Sequence, residues 1–409
     1  MNPKINVKDY ESIVGKSYIE ELTMLANRLS GKTILNINST FVGGGVVEIL
    51  SRLVPLLNQL GVDVRWQIIS GDAQFFKVTK KLHNALHGKV EPISDDEFSL
   101  FLETTEKNLN QIDFSGDIMF IHDPQPAALI AKKNDIGKKW IWRCHIDISQ
   151  PDSRVWEFLK QFVINYDATV FSSPNFAQEL PIRQFFAPPS IDPLSDKNKE
   201  LPAEAVNAVL AKYGLNQDKP LILQVSRFDR LKDPLGVIKA FELVRKNFAC
   251  QLVLAGGIAS DDPESEEVLA EVKERAGGNP DIHILDIAPG SDIDINALQR
   301  AATIIMQKSL GEGFALTITE ALWKAKPVVA SAVGGIPLQV RNKLTGLLCH
   351  SIEGAAYALR QILANPDYGR WLGHNGNEHI RQHFLITREI RDYLLIFLTL
   401  ARREDVISL

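Results

Sequence analysis

The sequence predicts an α/β protein of two Rossmann-like, doubly wound domains facing each other across a cleft. Three observations carry this reading. Short apolar runs alternate with amphipathic helical stretches along the chain. Glycine clusters follow several of the runs, as at Gly43-Gly44-Gly45, Gly256-Gly257, Gly311-Glu312-Gly313 and Gly334-Gly335, where open parallel sheets present their ligand sites. The pattern stops at the rigid segment Ala187-Pro188-Pro189-Ser190-Ile191-Asp192-Pro193 and then begins again.

Taken in order, Tyr10, Ile13, Ile19, Leu22, Leu25, Ala26 and Leu29 recur largely at helical spacing and predict one or two short helices, an appendage over residues 1–30. Thr33–Ser39 reads as a strand. Val46–Leu60 reads as a helix with the stripe Val47, Leu50, Val54, Leu57 and Leu60, and Val62–Ile69 as the next strand. A β-α-β order of this kind implies a parallel pair. Strands follow at Ile118–Ile121, Lys139–Arg143, Ala168–Phe171 and Gln184–Phe186, with a helix at Ser153–Asn165. The first domain is expected to span 1–195 and the second 196–387. In the second half, strands at Leu221–Val225, Gln251–Ala255, Ile282–Leu285, Ala301–Met306 and Pro327–Ala330 alternate with helices such as Leu235–Lys246. The apolar run Tyr393–Leu400 predicts a helix, over about 388–409, that packs back on the first domain.

Composition narrows the function. A chain of 409 residues with 45% hydrophobic and 23% charged residues can bury a large core. A net charge of -5 argues against binding a nucleic-acid backbone, which needs a basic field. Cys144, Cys250 and Cys349 have no metal-ligand spacing and fit a reducing compartment. No apolar leader or bilayer-length run is evident, so a cytoplasmic protein without membrane partners is expected. The sequence does not set the oligomeric state, and a homodimer stays open.

The chemistry concentrates in the stretch from Gly311 to Trp323. Ile304-Ile305-Met306 ends a strand, the glycines turn, and Leu316, Glu320 and Trp323 fall at helical spacing. Such a junction aims free backbone N–H groups at the space ahead of the helix and favours phosphate. Glu312 lies in the loop, and Glu320 about two turns on is expected to point toward the same cleft. Carboxylates beside a phosphate seat suit the hydroxyls of a sugar or ribose. Taken alone, the stretch is explained equally well by an ordinary strand–helix connection. Arg227 and Lys232, on the loop Ser226–Pro234 after a strand, add two cations able to hold a pyrophosphate without a metal.

The order Gly43-Gly44-Gly45, Ser226-Arg227…Lys232 and Glu312-Gly313-Phe314…Glu320 is similar to that of retaining GT-B glycosyltransferases of the glycogen synthase and sucrose synthase type, whose two glutamates are separated by seven residues, as here. His83-Asn84-Ala85-Leu86, His122-Asp123-Pro124-Gln125, Trp142-Arg143-Cys144-His145-Ile146-Asp147 and Pro188-Pro189-Ser190-Ile191-Asp192-Pro193 resemble, within that group, the trehalose glycosyltransferring synthases. The resemblance implies that Glu312 and the backbone of Gly313, Phe314 and Ala315 hold the donor glucose, and that Leu316 and Thr317 offer N–H groups to the diphosphate. It further implies that Glu320 binds the ribose, that Arg227 and Lys232 bind the phosphates, and that Gly44 and Gly45 close over them. One departure stands out: Asp233 follows the lysine where the group usually has glycine, which leaves the path of that loop open.

The acceptor sugar is expected against the first domain, on His122, Asp123, Gln125, Arg143 and Asp147. Alternation would put Arg143, His145 and Asp147 on one side of a strand. For His122 a structural role stands level with substrate contact. His145 resembles the histidine that reaches the donor sugar near the reacting carbon. The catalytic set is therefore Glu312, Arg227, Lys232 and His145. The resemblance implies nucleoside diphosphate glucose (ADP-, UDP- or GDP-glucose) as a substrate rather than a bound cofactor. Stimulation by Mg2+ would need no metal site on the protein. The base would meet backbone near Leu285 to Pro289. A trehalose phosphorylase using glucose 1-phosphate is the nearest competing reading; a nucleotide-sugar epimerase and a non-catalytic sugar-nucleotide regulator are more distant ones.

Overall fold

The computed structural model describes residues 5–41, 44–257, 263–288 and 290–401; Gly43, Pro289 and the stretch of the expected terminal helix from 402 onward lie outside these residues. Two compact units are present, one of Met1–Ser190 with Ile386–Leu409 and one of Ile191–Leu385.

The first unit opens with a 3-10 turn at Val7–Tyr10 and helix α1 (Lys16–Asn27), whose Ile19, Leu22, Leu25 and Ala26 face inward. The alternation continues through β1 (Thr33–Asn38), α2 (Gly44–Gln59), β2 (Asp63–Ile68), α3 (Ala73–Leu86), α4 (Asp95–Gln111), β3 (Ile118–His122), β4 (Lys139–Cys144), α5 (Ser153–Val163), β5 (Ala168–Phe171) and β6 (Arg183–Phe186). Their sheet is wholly parallel, in the order β2-β1-β3-β4-β5-β6. Helices on both faces explain why β3 and β5 are buried at every position instead of alternating. Side-chain caps fix the helix starts: Asp72 accepts from the Phe75 N–H, Asp152 from the Val155 N–H, and Ser94 with Glu97 forms a capping box. The core gathers Trp140, Trp142, Phe75, Phe101 and Phe171.

The second unit contains β7 (Leu221–Val225), α6 (Pro234–Arg245), β8 (Gln251–Gly256), α7 (Pro263–Ala276), β9 (Ile282–Asp286), α8 (Asp292–Ala301), β10 (Ile304–Gln307), α9 (Leu316–Trp323), β11 (Val328–Ser331), β12 (Leu347–Cys349), α10 (Ile352–Ala364) and α11 (Pro366–His383). The order is β12-β11-β10-β7-β8-β9, again all parallel. One expectation shifts: the strand expected from Ala301 begins at Ile304, because α8 runs through Ala301. The three-residue β12, which the sequence reading did not include, is too short to leave a pattern.

The last helix, α12 (Ile386–Ala401), packs on α1 and α2 of the first unit. Arg391 Nε donates to Glu21 Oε1 at 2.6 Å, and Tyr393 and Phe397 meet Phe120 edge-on at 5.1 and 5.4 Å between ring centres. Among the described residues no helix is long and apolar enough to cross a membrane.

Each sheet reverses its winding at one place, β1 beside β3 in the first and β7 beside β10 in the second. The loops leaving the carboxyl ends of such neighbours diverge and open a crevice. Lys232, Glu312, Asp123 and the helix start at Gly44 follow these four strands.

Candidate active site

In the second unit the loops after β7 and β10 meet. Lys232 closes a 3-10 turn at Arg230–Lys232, and its Nζ lies 2.5 Å from Glu312 Oε2. Ser309 Oγ donates to the same oxygen at 3.1 Å and receives Gln307 Nε2 at 3.1 Å. Backbone ties hold both loops: Gln224 Nε2 donates to the Lys232 carbonyl at 2.8 Å, and the Leu310 N–H donates to the Leu231 carbonyl at 2.7 Å. Arg227 does not join this cluster. Its side chain is 54% exposed and stands 3.6 Å from the Asp229 carboxylate.

The glycine loop itself is tightly braced. The Gly335 N–H donates to the Glu312 carbonyl at 3.3 Å, and Gln339 Nε2 donates to the Phe314 carbonyl. A Cβ on Gly335 would fall 2.5 Å from the Gly313 oxygen, so only glycine lets these two loops approach. Ala315 sits in the left-handed region, φ 76°, and opens α9 with no side-chain cap. Leu316 and Thr317 thus begin a helix whose terminus no side chain covers, the arrangement that suits an anion. Glu320, on α9, is buried, accepts Gln299 Nε2 from α8 at 3.1 Å, and has Lys324 one turn away. Burial pushes the Lys324 ammonium down to about 7, against the pull of the Glu320 charge.

Asp233 settles the path of its loop. It adopts the left-handed conformation, φ 47°, that glycine would supply, caps α6 through the Gly236 N–H at 3.0 Å, and forms an ion pair with the largely buried Lys308.

In the first unit, β3 delivers His122 and Asp123. His122 Nε2 lies 3.0 Å from Asn36 Oδ1, and His122 Nδ1 lies 3.0 Å from His145 Nε2. Asn36 Nδ2 donates to the Arg65 carbonyl, which leaves Asn36 Oδ1 as the acceptor for His122 Nε2–H. His122 Nδ1 then accepts from His145 Nε2–H, and the His145 Nδ1 lone pair is the open end of the chain. Burial, then the Arg143 charge, lowers His122 to about 3 and holds His145 well below its usual value, so both rings are neutral.

Asp123 is held at φ 66°, an uncommon conformation for a side chain other than glycine. Its Oδ1 accepts the His145 N–H at 2.8 Å, its carbonyl accepts Trp142 Nε1 at 2.9 Å, and burial raises its carboxyl to about 6. Gln125 Oε1 is buried with no partner. Alternation does not carry Arg143, His145 and Asp147 to one side, because β4 ends at Cys144. Arg143 is wholly interior and donates to Ser172 Oγ and the Ala187 carbonyl, while Asp147 accepts the Ser149 N–H in a local turn. Gly44, with φ 82°, and Gly45 open α2 at the surface after β1. Among the described residues no three His, Cys, Asp or Glu side chains group to hold a metal ion.

Residues 36–178 match the family described as trehalose synthase, N-terminal domain, and residues 207–379 match glycosyl transferases group 1. A trehalose synthase of Rubrobacter xylanophilus is 41% identical over 399 residues, 95% of this chain and 95% of the relative. The chain belongs to the trehalose synthase family. A trehalose phosphorylase of Grifola frondosa is 29% identical, over 87% of this chain and 56% of its own. The crystal structure of a UDP-forming α,α-trehalose-phosphate synthase from Burkholderia xenovorans superposes with a TM-score of 0.72 at 16% identity, over 91% of this chain and 99% of the other. The fold is therefore that of the GT-B glycosyltransferases. Within this trehalose synthase family member, Asn36, Ser309, Gln299, Lys308 and Lys324 are residues bonded to the candidate site groups that sequence reasoning passed over. Only Asn36 carried a visible signal, a polar residue inside the otherwise apolar run Ile34-Leu35-Asn36-Ile37.

Proposed function

We propose that this protein is a retaining glucosyltransferase that makes trehalose from a nucleoside diphosphate glucose and glucose, by a reaction that also runs in reverse. The observation that carries the reading is the Lys232–Glu312–Ser309 cluster beside the uncapped start of α9. Both donors fall on Glu312 Oε2, so Oε1 is the oxygen that accepts a hydroxyl of the donor glucose. Lys232, with Arg227 turned inward, neutralises the diphosphate as the bond from C1 to its oxygen breaks. The acceptor hydroxyl bonds to C1 on the face the diphosphate leaves, and its proton passes to the departing phosphate oxygen. Anomeric configuration is retained without a carboxylate nucleophile. Leu316 and Thr317 offer backbone N–H groups to the same phosphates. In the first unit Asp123, Gln125 and the open Nδ1 of His145 are the polar groups for sugar hydroxyls. Arg143, being interior, serves by orienting its neighbours.

Incubating the protein with ADP-, UDP- or GDP-glucose and glucose, and identifying the product by NMR, tests the proposal. An α,α-1,1-linked disaccharide is expected with at least one donor, and Glu312→Ala should lower its rate by at least about a hundredfold, the order seen when a transition-state contact is removed. A disaccharide formed only from glucose 1-phosphate would favour the phosphorylase reading, which the Grifola frondosa likeness keeps in view. A near wild-type rate in Glu312→Ala would overturn the assignment of that residue.

A further inference from the structure

Two side chains that no motif singles out lie against Glu320 and its helix. Gln299, wholly buried on α8, donates Nε2 to Glu320 Oε2 at 3.1 Å and reaches the Thr317 carbonyl of the same helix at 3.5 Å. Its other amide atom, Oε1, is buried without a partner, so the amide is not oriented by satisfying itself elsewhere. Lys324 is buried one turn beyond Glu320, with Nζ 3.1 Å from the Glu320 carbonyl and 2.9 Å from Asn198 Oδ1. Asn198 is itself fixed, donating Nδ2 to the Asp192 carbonyl at 3.0 Å and to Ser195 Oγ at 3.2 Å. A carboxylate out of reach of water keeps its charge only if donors and a cation surround it; otherwise it takes up a proton and turns from an acceptor into a donor.

We propose that Gln299 and Lys324 are positioning residues for the nucleotide-sugar: they hold Glu320 as a fixed, acceptor-only carboxylate that can bind a pair of vicinal hydroxyls such as those of a ribose. The inference rests on the reading of Glu320 as a donor contact. Neither residue touches the donor; both act through Glu320.

Steady-state kinetics on the full chain, with the best of the three nucleoside diphosphate glucoses and with glucose, compare Glu320→Ala, Gln299→Leu and the double variant. Gln299→Leu is expected to raise KM for the donor about tenfold, the order set by losing a hydrogen bond to a charged group. KM for glucose should stay unchanged and kcat should stay within about twofold, as for loss of ground-state binding. In the Glu320→Ala background the same substitution should add nothing, a non-additivity that general loosening of the fold does not produce. Should Gln299→Leu fail to fold, Lys324→Met carries the same comparison. An unchanged donor KM in Gln299→Leu beside a raised one in Glu320→Ala overturns the positioning role and leaves the Glu320 contact standing. Additive losses affecting both substrates overturn it as well. An unchanged donor KM in Glu320→Ala removes the ribose contact itself and the inference with it.

Discussion

Single side chains in this protein are held in states that a free chain would not favour, and pH should reveal them. His122, lowered to about 3 by burial, is neutral in the folded chain but takes up a proton near its ordinary value when unfolded. Its contribution to stability is therefore present above about pH 6.5 and is lost as pH falls toward 3. The denaturant midpoint should drop across that window, and His122→Gln should flatten the drop. Asp123 has the opposite sign: its carboxyl is raised to about 6, so its contribution is full at low pH and is lost as pH rises through 6. If the ionised form binds sugar, kcat/KM should climb with an apparent pKa near 6 in the wild type and lose that limb in Asp123→Asn. Asp233 is a third case. Replacing it by glycine relieves a left-handed backbone but removes the cap of α6 and strands the buried Lys308. Unfolding free energy should fall by roughly 2 kcal/mol, since losing the cap and the buried pair outweighs the strain relieved.

At the scale of elements, the loops that open the second unit's candidate site are fixed less by their own residues than by how closely neighbouring loops approach. Gly335→Ala places a Cβ 2.5 Å from the Gly313 oxygen, with the Phe314 Cα 3.1 Å away, both of them backbone. Because backbone cannot yield as a side chain does, the 311–315 loop must shift. Activity should fall at least about tenfold while the thermal midpoint moves by only a few degrees, a combination expected when about 1 Å of misplacement disturbs a catalytic contact. A Gly335→Ala variant with unchanged kcat/KM would show that the loop tolerates displacement. The same closeness recurs at the end of β8, where a Cβ on Gly256 would fall 1.7 Å from the Ser226 oxygen, at the start of the loop that carries Arg227.

At the scale of the whole molecule, the last helix belongs to the first compact unit although the whole of the second intervenes in sequence. Tyr393 and Phe397 cover Phe120 of β3, and Arg391 reaches Glu21 of α1. Ser190 Oγ also donates to the buried Glu389. A chain ended at Leu385 should expose this apolar face of the first unit and lose its cooperative unfolding transition, with dye binding typical of exposed core, while the second unit keeps its own transition. Retention of both transitions would show that α12 is dispensable.

Much of this was legible from residues alone. The strand–glycine–helix junctions at Thr33–Leu60 and Ile304–Trp323 follow from apolar period and glycine chemistry, which are local, and so the parallel α/β fold, the loops bearing Lys232 and Glu312 and the strand leading to His122 could be read directly. Partnership could not be read, because it depends on which strands become neighbours. The sheet orders bring Asn36 against His122 and Lys232 against Glu312, across 86 and 80 residues of chain. Burial is likewise a property of the packed molecule: helical spacing gives Glu320 a direction and strand alternation gives Arg143 one, but only surrounding elements take both out of water and supply the first with Gln299. The sequence by itself determined which chemistry is present and on which loops. The tertiary structure decided which groups are charged, fixed and paired, because those states depend on neighbours distant in sequence.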